Sequence, residues 1–145
     1  MKVTINLFLS FLALINLSNL AYGQSDADVK QVKNIINGTN IRVSWQDGTA
    51  LMWYNHYADY YFCSSGRVQI DYTKVSETSS ISAKRRENYS SYGTWKIIKN
   101  SGYVAIHIVW DNNEYTILNV QLYPNGNFWI QGYKTVERIG KIECG

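Results

Sequence analysis

The chain reads as a mostly β protein, an antiparallel meander closing into a small barrel of about eight strands, with one short N-terminal helix. Three observations predict this. From Asn40 onward apolar and polar residues alternate with period two. Short clusters of Asn, Asp, Ser and Gly punctuate the alternation. Aromatic residues make up 14% of the chain, as twelve Tyr, five Trp and four Phe, and they suit a pleated, half-buried surface better than a helical bundle. With 145 residues there is room for one domain. An apolar share of 46%, a charged share of 17% and a single proline, Pro124, exclude collagen-like, proline-rich and charge-dominated disordered chains.

The first 23 residues read as an export leader. Met1-Lys2-Val3 carries one positive charge, Ile5 to Leu20 is nearly all apolar, and Ala21-Tyr22-Gly23 presents small residues where a signal peptidase cuts. The apolar run is short and flecked with Asn and Ser, unlike a membrane span. Cleavage after Gly23 leaves residues 24–145 as a single domain, secreted or periplasmic, with no membrane segment after leader removal. The net charge of +3 falls further when Lys2 is lost. That is too small a charge to imply a nucleic-acid partner.

A helix is expected first in the mature chain. Ser25 with Asp28 forms a capping box, Val29, Val32, Ile35 and Ile36 recur at helical spacing, and Gly38 stops the run. This helix is expected to cover one mouth or edge of the barrel. Strands then follow: Ile41, Val43 and Trp45 alternate up to a turn at Asp47-Gly48; Thr49 to Tyr54; Asp59 to Cys63 and Arg67 to Tyr72 about Ser64-Ser65-Gly66. The serine-rich stretch Ser76 to Ser91, with Lys84-Arg85-Arg86, reads as an exposed loop. Thr94 to Lys99, Tyr103 to Trp110 and Glu114 to Tyr123 are clearer strands. Pro124-Asn125-Gly126 is the strongest turn signal. Asn127 to Thr135 completes the series, and the tail from Val136 has room for one more short strand.

Cys63 and Cys144 are the only cysteines. In an oxidising exported compartment they are expected to pair and to pin the C-terminal tail to the body. Closing a loop of about 80 residues stabilises by roughly 4 kcal/mol in the chain-entropy account.

Several stretches together resemble small secreted bacterial lipocalin-like domains over about residues 40–135. They are Tyr61-Phe62-Cys63-Ser64-Ser65-Gly66-Arg67, the polar loop after it, Gly93-Thr94-Trp95-Lys96-Ile97, an Ile/Val strand, Tyr123-Pro124-Asn125-Gly126, and an aromatic strand with Gly132-Tyr133. In lipocalins proper the Gly-x-Trp lies on the first strand; here it lies mid-chain. The resemblance implies a calycin-like barrel and a non-catalytic role.

No nucleophile elbow, phosphate-cradling glycine motif or zinc helix is present, and no cofactor, catalytic residue or metal site is expected. The two histidines are the only imidazoles. His107 lies on a strand, opposite the Ile106 and Ile108 face, and His56 falls in Asn55–Asp59, read as a loop. The carboxylates are expected mostly at caps and turns. The feature of most functional interest is aromatic crowding: Trp53, Tyr54, Tyr57, Tyr60, Tyr61 and Phe62 fall within ten residues. Alternation cannot bury them all on one side, so some line a cavity or face outward, and others fill the core. Trp53, Tyr54, Tyr57, Tyr60, Tyr61, His107 and Trp110 are therefore the candidate ligand or partner contacts. The expected function is a secreted, non-catalytic module binding a small apolar or aromatic ligand or an extracellular protein. Two alternatives are an inhibitor of an extracellular enzyme acting through residues 76–91 and, third, a hydrolase built on His107 or His56.

Overall fold

A computed structural model of the protein describes residues 25–49, 51–78 and 84–144, and the expected leader over residues 1–23 lies outside them. One helix, α1 (Asp26–Ile36), precedes eight strands: β1 (Thr39–Gly48), β2 (Met52–Phe62), β3 (Arg67–Thr78), β4 (Lys84–Asn100), β5 (Tyr103–Trp110), β6 (Tyr115–Leu122), β7 (Phe128–Ile130) and β8 (Thr135–Lys141). Every ladder is antiparallel, in the spatial order β7-β6-β5-β4-β3-β2-β1-β8. The result is a nearly closed barrel of eight strands.

The helix begins as its capping box requires. Ser25 donates to Asp28 Oδ2 from its backbone N–H (3.0 Å) and hydroxyl (2.7 Å), and the Asp28 N–H returns a bond to Ser25 Oγ (3.1 Å). Val32 and Ile36 are fully buried against the barrel interior. Lys99 of β4 donates to Asp26 at 2.8 Å, and this bond holds the Asp26 carboxyl below its ordinary pKa. At Gly38 the chain turns out of the helix with φ +64°. The helix thus closes one end of the barrel.

Inward rows follow the period-two pattern. Ile41 and Val43 of β1, Ala58, Tyr60 and Phe62 of β2, Val68 and Ile70 of β3, and Trp95 of β4 are buried. Val104, Ile106 and Ile108 of β5, Leu118 and Val120 of β6, and Ile130 of β7 join them in one cluster with the helix. Each fully buried Ile, Val or Phe contributes on the order of 1.5–3 kcal/mol of transfer free energy. Trp95 ties this end together: its indole N–H donates to the Cys63 carbonyl at 3.0 Å, and its ring meets Phe62 edge-on at 5.4 Å.

The disulfide forms between Cys63 and Cys144, with Cα atoms 5.6 Å apart. Cys63 follows β2 and Cys144 follows β8, an outermost strand that pairs only with β1. The bond therefore latches β8 to the interior of the sheet. Between β7 and β8 there is no ladder, but Gln131 N–H donates to Asn119 O (3.0 Å) and Lys134 N–H to Ser44 O (2.7 Å), stitching the seam from both sides.

The strands differ in height, and β4 explains why. Its seventeen residues pair with β3 through Lys84–Thr94 and with β5 through Gly93–Asn100. The β2–β3–β4 hairpins therefore rise as a tall wall above the β5–β6 turn. At the changeover sits Gly93, where a Cβ would lie 2.4 Å from the Val109 carbonyl oxygen and 3.0 Å from Trp110 Cα. Only glycine allows the backbones to come this close.

Three sequence expectations are corrected. Residues 76–78 and 84–91 are not a loop: Ser76, Glu77 and Thr73 pair with Arg85, Lys84 and Asn88. Residues 55–59 are not a loop but the middle of β2, which joins the two strands expected on either side. Residues 127–135 are not one strand but end as β7 at Ile130, with Gly132 (φ +89°) turning the chain into β8 in the expected tail. In the first case the tall wall is wet on much of its surface, so polarity there reports exposure and not a break in pairing; in the second, polar His56 is buried because both of its ring nitrogens find partners.

Two outcomes follow from this architecture. Replacing Cys144 with Ser should lower unfolding stability by about 2–4 kcal/mol in urea denaturation while leaving the far-UV circular dichroism of the fold in place. Gly93→Ala should cost on the order of 2–3 kcal/mol, because a backbone clash cannot be relieved by rotating a side chain; a thermal midpoint equal to that of the unmodified protein would show that β4 does not need this approach.

Candidate functional site

Above the filled core the barrel interior opens into a cup of about 340 Å³. Five aromatic rings line it: Trp45 of β1, Tyr60 of β2, Tyr72 of β3, Tyr89 of β4 and Trp110 of β5. Ile70, Ser91 and Thr116 complete the walls, and Asn112 and Glu114 stand on the β5–β6 turn. Each ring comes from an inward row of a different strand. The cup exists because β1–β4 continue past the level at which β5 and β6 turn, leaving inward aromatics with no strand opposite to cover them. Its volume lies at the lower end of the range for small-ligand sites. Two larger clefts are of another kind. One of about 520 Å³ runs from Ile35 to the β6–β7 turn, and one of about 530 Å³ flanks the disulfide between Tyr61, Val68 and Tyr92; neither gathers inward-row aromatics from several strands as the cup does.

The cup wall is held by His56, buried on the inward row of β2. Its ring lies parallel to that of Trp45, with centroids 4.8 Å apart and planes 4° from parallel. Both ring nitrogens are bonded, Nε2 to Asp47 Oδ1 at 3.0 Å and Nδ1 to the Tyr72 hydroxyl. A carboxylate only accepts, so Nε2 carries a proton, and in the neutral ring Nδ1 accepts from Tyr72. Burial first, then Tyr89, Asp47 and Glu87 nearby, hold the Tyr72 phenol above its ordinary pKa. The hydroxyl therefore stays protonated and acts as a hydrogen-bonding post. Trp45 also meets Tyr133 edge-on at 5.3 Å, and Tyr72 lies 4.6 Å from Tyr89, so the rings form one continuous packed set.

Two further polar contacts hold side chains of the cup. Trp110 Nε1 donates to Thr116 Oγ1 at 2.9 Å. Tyr60 and Tyr133 hydroxyls meet at 3.5 Å. Burial raises the Tyr60 phenol well above its ordinary value, with the nearby Tyr133 adding to it, and burial also raises Tyr133.

The structure divides the sequence candidates. Tyr60 and Trp110 line the cup. Tyr54 lies on the same inward row but higher, its ring covered by the Lys74 ammonium at 4.1 Å from the centroid and its hydroxyl donating to Met52 Sδ. Trp53, Tyr57 and Tyr61 alternate to the outer row of β2. Tyr61 stands there between Asp59 and Asp71, with its phenol raised first by burial and then by those carboxylates. His107 also faces outward on β5, 6.0 Å from the Tyr115 ring, with Nδ1 buried and without a hydrogen-bond partner. The two histidines are thus on opposite sides of the sheet. Among the carboxylates, Asp59 and Asp71 are not at turns but face each other across β2 and β3, satisfied by Arg42 (2.8 and 2.9 Å) and by Gln69 and Ser90. No group of three or more His, Cys, Asp or Glu among the described residues is placed to hold a metal ion.

Sequence reading missed Trp45, Tyr72, Tyr89 and Glu114 as cup residues. Alternation carries part of the signal, the inward facing of Trp45 in the row of Ile41 and Val43 and of Tyr72 in that of Val68 and Ile70, but not their common height nor the place of Glu114 on a turn.

The buried phenols carry a pH consequence. Tyr60 and Tyr133 ionise in the unfolded chain near the ordinary value of 10.0 but later when folded. Their contribution to stability is complete below about pH 10 and is lost as pH rises through the higher folded values. Unfolding free energy should therefore fall steeply above about pH 10, and Tyr60→Phe should flatten that fall. Equal slopes for the two proteins in urea denaturation across alkaline pH would contradict the assignment.

Comparison with protein-family models, with curated proteins and with solved structures gives no match to this chain, so fold and site rest on its own residues.

Proposed function

We propose that the protein is a secreted, lipocalin-like binding module that takes a small ligand with apolar or aromatic surface into the aromatic cup, without catalysing a reaction. The observation that carries this reading is the set of five rings, from five different strands, left uncovered around one cavity above a filled core. Aromatic walls supply large, rigid contact area at little cost in conformational freedom. Here their freedom is reduced further by the Asp47–His56–Tyr72 chain and by stacking on Trp45. Export is supported by the leader-like Met1–Gly23 segment together with the disulfide. No helix among the described residues is long and apolar enough to cross a membrane.

The alternatives have weaker support. A hydrolase would need an activated nucleophile or paired acid and base. His56 is occupied at both nitrogens, its partner Tyr72 is held protonated, and His107 is on the outer face. For an inhibitor acting through residues 76–91, residues 76–78 and 84–91 belong to the β3–β4 hairpin, and no specific observation points to an enzyme that it would fit.

Native mass spectrometry of the exported protein, purified gently, is expected to show a small-molecule adduct. That adduct should be lost in Trp110→Ala and retained in Tyr103→Ala, a change on the far outer surface. An adduct that survives Trp110→Ala unchanged would place binding elsewhere.

A further inference from the structure

The cup has a charge preference as well as a shape. Among the described residues, Glu114 is the only charged one that lines it. Its Oε2 accepts from Asn112 Nδ2 at 2.9 Å, and Asn112 Oδ1 accepts from the Glu114 N–H at 3.0 Å, so the turn fixes the carboxylate at the rim. No lysine or arginine among the described residues forms an ion pair with it. Arg67 reaches the β5–β6 turn but pairs with Asp111 at 3.1 Å, and Lys74 lies over the Tyr54 ring. Below the rim the five rings offer π faces, which attract positive charge. Two of the cup's donors are already engaged, Trp110 Nε1 on Thr116 and the Tyr72 hydroxyl on His56, and no lysine or arginine among the described residues lines it to hold an anion.

We infer that the cup selects an organic cation, a substituted ammonium whose apolar groups enter among Trp45, Tyr60, Tyr72, Tyr89 and Trp110 while Glu114 balances its charge. This rests on the cup being the binding site, and it adds the class of ligand. A trimethylammonium group fits the chemistry best, because it offers no N–H for which the cup would need free acceptors and spreads its charge over methyl groups that meet ring faces. Lys74 on Tyr54 shows the same attraction within the chain.

The test compares choline with its neutral carbon isostere, in which a tert-butyl group replaces the trimethylammonium. Calorimetric titration of the mature, disulfide-bonded protein at low ionic strength reads both. Choline is expected to bind roughly ten-fold more tightly than the isostere. Glu114→Gln keeps an oxygen acceptor for Asn112 at an exposed turn, and it should cut that preference to roughly three-fold. Raising the salt concentration should reduce choline binding and not isostere binding. Equal affinities for the two probes, both lost in Trp110→Ala, would overturn the cation preference and leave the cup standing. The cation preference is overturned in the same way if choline does not bind but the purified protein carries a neutral adduct sensitive to Trp110→Ala. Failure of both probes, with no adduct, would overturn the cup and its preference together.

Discussion

The architecture depends on the backbone contact at Gly93. One strand, β4, serves two ladders, and it can pass from β3 to β5 only where a Cβ is missing opposite Val109 and Trp110. A glycine in a strand ordinarily weakens it, through lost side-chain packing and greater unfolded-state entropy. Here that cost is offset by what the approach allows. The lower part of β4 closes the barrel over a packed core, and the upper part extends the wall that forms the cup. Trp110, whose Cα meets Gly93, is at once the end of the β5 ladder and a wall of the cavity.

Stability and binding surface are thereby separated along the barrel axis. At the helix end, aliphatic side chains, Phe62 and Trp95 fill the interior, and the disulfide secures β8, which has β1 as its single neighbour. At the other end the interior is aromatic and hydrogen-bonded. Polar groups there are costly unless satisfied, and the chain satisfies them in sequence: Asp47 with His56, His56 with Tyr72, Tyr60 with Tyr133, and Trp110 with Thr116. Such a network holds rings in place while leaving their faces free, which preorganises a site before a ligand arrives. The Arg67–Asp111 ion pair is exposed on both sides and adds little by comparison.

Much of this was legible in the residues. Alternation puts Val104, Ile106 and Ile108 on one face of their strand and Leu118 and Val120 on one face of theirs, faces that the structure buries, and the capping box placed the helix start at Ser25. The turns at Ser64–Gly66, Asp111–Asn113 and Pro124–Gly126 fell where Gly, Asn and Pro favour them. Two of the seven candidate contacts, Tyr60 and Trp110, line the cup. The crowd from Trp53 to Tyr61 divides as alternation requires, with Tyr54 and Tyr60 on the inward row and Trp53, Tyr57 and Tyr61 on the outer one. Local density of aromatics therefore does not make a cluster.

What the chain determined by itself is its period, its turns, its helix cap and a cysteine pair, because each depends on residues close together or on composition. Tertiary structure decided that residues 76–78 and 84–91 belong to a ladder, that β4 is shared, and that Trp45, Tyr72, Tyr89 and Glu114 meet around one cavity. Those outcomes depend on strand heights and register across the sheet, which come from long-range pairing and close packing and leave no mark on any short window of sequence.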